Sequence, residues 1–284
     1  MVLIHVKKTD TDQFLYVSTV AAANEDVIAD LVSIWNKRLQ MQRLVAAVKE
    51  LAQYGPSKPE DRRGLDDDED IDASAPPPTR GPHYRKDPTA QRDGNAPSPE
   101  LAETLNRTAD DAAAVISKDQ VARKVPLTMD MLQEKVDNVR GAVTMAYPMG
   151  LPEWDIIRAI IEDKEEVAGS AASLEVLDPT TAEMWWAGKD FPRGQLLGAR
   201  VGRNEKTKII VKLQKPGAGP PSREPAVSEE ERKAMMAHYF KKQEEAKRAA
   251  EDDEDGFYSA RWADPKALKS SLVGTGGISF RPGR

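Results

Sequence analysis

The sequence predicts an α+β fold built around one mixed sheet. Three observations carry that reading. Apolar residues alternate with a period of two near both ends of the first 215 residues, helical periodicity fills much of the space between, and composition changes abruptly after Lys215. The chain has 284 residues, with 41 Lys and Arg against 47 Asp and Glu, so the formal net charge is −6. Hydrophobic residues make up 39% and charged residues 31%, enough for a core but not from every segment.

Residues 2–8 alternate Val2, Ile4 and Val6 against Leu3, His5 and Lys7, and residues 13–20 form a second strand across the turn-forming Thr9-Asp10-Thr11-Asp12. Asn24 is placed to cap a helix, with Glu25 and Asp26 near its positive end. Val27, Ile28, Leu31, Val32 and Trp35 share one face, and the series resumes at Leu44, Val45, Val48 and Leu51. Asn36-Lys37-Arg38 marks a possible break, and Gly55-Pro56 a stop.

Residues 56–98 read as a disordered acidic and proline-rich linker, with the run Asp66–Asp70 and the triplet Pro76-Pro77-Pro78. Ser98-Pro99 then starts a helix through Leu101, Leu105, Ala109, Ala112 and Ile116. Thr128 caps another that carries Met129, Leu132, Val136 and Val139 and ends at Gly141. Residues 142–147 are expected to be a strand, stopped by Pro148 and Gly150, and Pro152 to open a short helix with Trp154, Ile157, Ile160 and Ile161. Tyr147 or Trp154 should be buried. Strands follow at 183–187 and 208–214, the latter with Ile209, Val211 and Leu213 on one face and lysines on the other. All five strands are expected to join one sheet, because an isolated hairpin is marginal in water.

After Lys215 the segment 216–227 is a Pro/Gly linker. Residues 228–255 form a polar helix opened by the capping box Ser228…Glu231, with Met235, Met236, Tyr239 and Phe240 as its strong apolar patch; the run Asp252–Asp255 should dissolve it. Residues 256–284 form a basic, aromatic-studded, extended tail. Phe257, Tyr258, Trp262, Leu268, Leu272, Phe280 and Arg281 are its candidate partner contacts, since aromatic and Arg anchors dominate binding energy. Asp264-Pro265 would start a short helix bearing Leu268 and Leu272, and folding of the tail back onto its own domain is the competing reading.

The chemistry that sequences most often announce is missing here. The chain has no cysteine and only His5, His83 and His238, which are scattered, so thiolate zinc sites, thiol nucleophiles and Ser-His-Asp arrangements find no support. Gly188, Gly194, Gly198 and Gly202 lack phosphate-loop spacing. No cofactor, metal or small-molecule substrate is expected. The opening residues put the apolar run before the basic pair, unlike a signal peptide, and no stretch approaches the roughly 20 apolar residues of a membrane span. Mild acidity disfavours nucleic acid, and Arg200, Arg203, Lys206, Lys208, Lys212 and Lys215 lack interleaved aromatics. An exposed strand face guarded by lysines explains them.

The succession of hairpin, helix, strand, Ala187-Gly188-Lys189 turn, Leu196-Leu197 crossover and amphipathic strand Lys206–Lys215 resembles the β-grasp fold of ubiquitin. The expected architecture is a ubiquitin-like mixed sheet with a helical insertion, a C-terminal helical arm and an extended tail. Its segments are 1–55 (hairpin and helices), 56–98 (linker), 99–140 (helical insertion), 141–215 (β-grasp-like), 216–227 (linker), 228–255 (helix) and 256–284 (tail). Pro216-Gly217-Ala218-Gly219-Pro220-Pro221 continues the chain where ubiquitin ends, so conjugation is not implied.

A second resemblance covers the whole chain. Met1–Lys8, Gln42-Arg43-Leu44, Arg140-Gly141-Ala142-Val143, Tyr147-Pro148-Met149-Gly150-Leu151-Pro152, Trp185-Trp186-Ala187, Gly202–Ile210, Ala218–Pro225 and Trp262-Ala263-Asp264-Pro265 together resemble the Kurly family of cilia- and flagella-associated proteins. The resemblance implies a cytoplasmic, non-enzymatic adaptor of motile cilia, at the ciliary base or in the cilium, that acts in assembly of axonemal dynein arms. Its implied partners are other dynein-assembly factors or dynein-arm subunits. A structural component of the axoneme or basal body is the alternative, and an RNA-binding module using 200–215 the outsider.

Overall fold

A computed structural model of the chain describes residues 1–64, 80–165, 171–221, 229–259 and 266. It divides into two units, Met1–Ser222 and Arg223–Arg284.

The first unit opens with the hairpin expected from alternation. Strand β1 (Val2–Lys7) pairs antiparallel with β2 (Gln13–Ser18), Lys7 opposite Gln13, and Lys8 N–H donates to the Asp12 carbonyl at 3.0 Å to close the turn. Helix α1 (Asn24–Tyr54) then crosses the face that carries Val2, Ile4 and Val6. Asn24 is not its cap. Ala23 holds that position, and Asn24 is fully buried, with Nδ2 donating 2.8 Å to the Pro192 carbonyl. Nor does α1 break at residues 36–38, because each polar side chain there has a distant partner. Asn36 brackets Leu177, donating to its carbonyl and accepting from its N–H; Lys37 meets Asp163, and Arg38 donates 2.8 Å to the Ile116 carbonyl.

Helices α2 (Pro99–Ile116), α3 (Asp119–Ala122), α4 (Met129–Ala146) and α5 (Ile156–Ile161) form the insertion, in which α2 packs on both α1 and α4. Small residues on α2, Ala109 and Ala112, lie fully buried beside Leu105. Thr128 caps α4 as expected, its side chain accepting from Met131 N–H. The strand expected over 142–147 is corrected: α4 runs on through Ala146, with Val136, Val139 and Val143 buried at helical spacing. The expected burial of Tyr147 or Trp154 is corrected too. Tyr147 is half-buried, and Trp154 is 47% exposed with Nε1 donating to the Ser57 carbonyl.

The remaining sheet comprises β3 (Glu183–Trp186), β4 (Lys189–Asp190) and, after the one-turn helix α6 (Gly198–Val201), β5 (Lys208–Gln214). Ala187 and Gly188 both have positive φ, the conformation of a two-residue hairpin turn, which explains the added strand β4. A single five-stranded sheet results, ordered β2-β1-β5-β3-β4. Only β1 and β5 run parallel, Ile4 beside Ile209 and Val6 beside Val211, so strands about 200 residues apart meet at its centre. Strands 2–8, 13–20, 183–187 and 208–214 are therefore found, whereas 142–147 is not among them. Sheet, α1 and insertion share one continuous core.

The reading of 56–98 as a disordered linker does not hold for its described parts. Ser57 bridges Arg92 and Tyr84 bridges Asn95 by backbone pairing, and Asp87 and Arg92 are buried. The acidic run and the proline triplet lie outside the described residues.

In the second unit, α7 (Glu229–Ser259) is 31 residues long, about 46 Å at 1.5 Å per residue. It does not dissolve at the acidic run, and the extended tail cannot begin at 256. Asp is a weak helix former but costs far less than the roughly 3 kcal/mol of proline, and no proline intervenes between Pro225 and Pro265. Ser228 of the expected capping box lies outside the described residues.

Candidate partner-binding surfaces

Of the sequence-selected contacts, Phe257 and Tyr258 fall in the last turns of α7, while Trp262, Leu268, Leu272, Phe280 and Arg281 lie outside the described residues. The apolar patch of α7 is fully described. Met235, Met236, Tyr239 and Phe240, at helical positions i, i+1, i+4 and i+5, project from one side and are 56%, 53%, 67% and 60% exposed. The rings of Tyr239 and Phe240 approach edge to face, with centroids 6.5 Å apart. Arg232 and Lys233 precede the patch, Lys241 and Lys242 follow it, and no carboxylate lies between 232 and 242. Among the described residues none of these four cations has an ion-pair partner; Arg248 and Glu244, 3.9 Å apart, form an exposed pair further along.

A second surface lies in the first unit, where β1 and β5 end side by side. A cleft of about 200 Å³ is walled by Val6, Trp35, Leu177 and Leu213, with Lys8 and Gln214 at its edges. Trp35 Nε1 donates 3.2 Å to the Glu175 carbonyl, and Lys8 Nζ sits 5.2 Å above the Trp35 ring and 3.5 Å from the Glu175 carboxylate. Gln214 Oε1 is buried without a hydrogen-bond partner, and Leu174 stands 75% exposed at the mouth. A cleft of this volume can admit one apolar side chain. Sequence reasoning missed it because its walls come from four separated segments.

The outer sheet face agrees with the reading of the lysines. Strand β5 lies between β1 and β3, and on its outer face Lys208 and Lys212 flank Ile210, which is 49% exposed. His5 is a buried sheet residue whose Nε2 lies 2.8 Å from Gln13 Oε1, as its place in the strand implies.

Buried charge gathers where the 80–98 segment meets α1 and α5. Arg92 donates to the Gly55 and Ala47 carbonyls at 2.9 and 3.0 Å, and to Glu50 at 3.2 Å. Asp155, the cap of α5, accepts from Ser57 and Ile157 N–H. Burial pushes the Asp87 carboxyl up, but hydrogen bonds from Thr89, Arg92 and Gln91 outweigh it and hold the group below the usual carboxylate range. Elsewhere, burial and the 2.6 Å bond to Asp30 raise the Tyr16 phenol. Most hydrogen bonds of the Arg92, Asp87 and Asp155 cluster run to backbone atoms. Among the described residues no cluster has the makings of a metal site, and no helix is long and apolar enough to cross a membrane.

Taken together, the fold and these surfaces define an α+β protein that presents an amphipathic helix and an apolar cleft. A family model for cilia- and flagella-associated protein 298 matches residues 182–278, from the start of β3 to beyond α7. Cilia- and flagella-associated protein 298 of Homo sapiens is 45% identical over 99% of this chain and 100% of its own length, and that of Danio rerio 44% over the same shares. The Drosophila melanogaster protein of the same name is 35% identical over 99% of each. The chain belongs to this family, the Kurly family to which its motifs point. No solved structure matches it.

Proposed function

We propose that the chain is a non-enzymatic cytoplasmic adaptor that motile cilia require, acting at the ciliary base in assembly of axonemal dynein arms. Its partners are other assembly factors or dynein-arm subunits. Association with cilia rests on the names of relatives that align with the chain over nearly its whole length. The adaptor reading is carried by one observation, the Met235-Met236-Tyr239-Phe240 stripe. A helix that leaves two methionines and two aromatic rings more than half exposed is built to complete itself against another protein. The spending of buried charge on backbone hydrogen bonds agrees with a non-enzymatic role. The ubiquitin-like reading of the sheet belongs to this proposal as well, supported by the β1 hairpin, the helix across it and the parallel β1–β5 pair.

The test is fractionation of ciliated cells. An adaptor is recovered chiefly from cell-body cytosol, and its loss depletes dynein arms. Retention in salt-extracted axonemes at structural stoichiometry contradicts the proposal and favours an axonemal or basal-body component.

A further inference from the structure

We propose that the 232–242 segment of α7 is the ligand of a methionine-rich apolar groove ringed by carboxylates, of the kind a calcium-loaded EF-hand protein opens. The inference rests on the reading of the stripe as a docking element and goes further by assigning the chemistry of what it docks into.

Charge selects the occupant. Within the eleven residues 232–242 the stripe is bracketed by Arg232, Lys233, Lys241 and Lys242, with no acid among them, and the four cations have no ion-pair partner among the described residues. Basic amphipathic helices of this kind suit acidic-rimmed grooves, where Met and aromatic anchors fill adaptable pockets. Arg232, one turn before the stripe, and Lys233 and Lys242, on its two flanks, meet the rim while the four anchors face the floor.

Two other occupants fit less well. A second copy of α7 centred antiparallel on the stripe would set Arg232 and Lys233 against Lys241 and Lys242, and a parallel copy would set each cation against itself. A membrane surface needs a continuous apolar face, whereas the strong apolar residues here span about two turns.

The test titrates calcium-loaded calmodulin, as a defined acidic-rimmed groove, into the full chain by calorimetry. A saturable 1:1 isotherm that disappears on calcium chelation is expected. Two double variants, Met236→Glu with Phe240→Glu and Lys233→Glu with Lys242→Glu, should each weaken binding at least tenfold. The second should also flatten its salt dependence, and circular dichroism should report unchanged helix content for both. Absence of binding at 100 µM calmodulin overturns the inference, as does binding unaffected by either variant. So do self-association of the wild-type chain that the first variant abolishes and stripe-dependent binding to phosphatidylserine vesicles in place of calmodulin. None of these results touches the adaptor proposal, which fractionation tests separately.

Discussion

Arg92 Nη1 and Asp155 Oδ2 stand 4.0 Å apart with both side chains withdrawn from solvent, and each is anchored to a different stretch of backbone. Arg92 ties the 80–98 segment to the end of α1, and Asp155 ties residue 57 to the start of α5. Removing Asp155 leaves buried Arg92 with Glu50 as its one remaining carboxylate partner among the described residues and empties the two backbone bonds that Asp155 accepts. Asp155→Ala is expected to cost about 3–5 kcal/mol in denaturant unfolding. Asp155→Asn, which keeps an acceptor for Ile157 N–H, should cost about 1–3 kcal/mol. Equal losses in the two variants would show that the charge carries the whole contribution and the accepted hydrogen bonds none of it.

This cluster marks the limit of what the sequence made legible. Alternation gave β1, β2 and β5, and helical spacing gave α1 and α2, because an element that buries one face writes its period into the chain. Arg92, Asp87 and Asp155 have no period. They lie among prolines, glycines and acids, and their burial follows from bonds to carbonyls and N–H groups that no residue pattern advertises. The 142–147 error has another cause. Ala-Val-Thr-Met-Ala-Tyr is short and mostly apolar, so strand and helix end look alike, and Gly141 has open space around it and no positive φ to force a stop. Of the candidate surfaces, the α7 stripe could be read directly, whereas the cleft required β1 and β5 to be brought together first.

The Asp87 carboxyl sets a pH dependence. Its folded pKa lies below its ordinary value of 3.8, so the stabilisation it gives is fully present above that value and is lost as pH falls through it toward the folded one. The gap in melting temperature between wild type and Asp87→Asn should be constant at neutral pH and shrink below about pH 4. A gap that widens on acidification would reverse the assigned sign.

Gly55 and Gly188 both have positive φ, yet substitution should separate them. A Cβ on Gly55 would lie 2.3 Å from the Asn95 carbonyl oxygen, while one on Gly188 meets nothing within 4 Å. Gly188→Ala should cost about 1–2 kcal/mol, the penalty of a left-handed conformation alone. Gly55→Ala adds a backbone clash and should cost clearly more. Comparable unfolding midpoints for the two variants would argue against close approach of residue 95 to the end of α1.

The two tryptophans 35 and 154 offer a similar contrast. Trp35 is 3% exposed in the core, and Trp35→Ala should cost about 3–5 kcal/mol. Trp154 lies on the surface and loses chiefly one hydrogen bond to Ser57, so Trp154→Ala should cost about 1–2 kcal/mol. Chemical denaturation of both variants measures the difference, and a larger loss at Trp154 would place it in the core after all.

The central claim is that the exposed stripe of α7 serves a partner and not the fold. Its most direct test is rescue of ciliated cells lacking the endogenous protein by the full chain carrying Met236→Glu and Phe240→Glu. The variant should melt at the wild-type temperature and accumulate to the wild-type level, yet leave dynein arms missing from axonemal cross-sections and the cilia immotile. Full restoration of arms and beating by this variant would contradict the account.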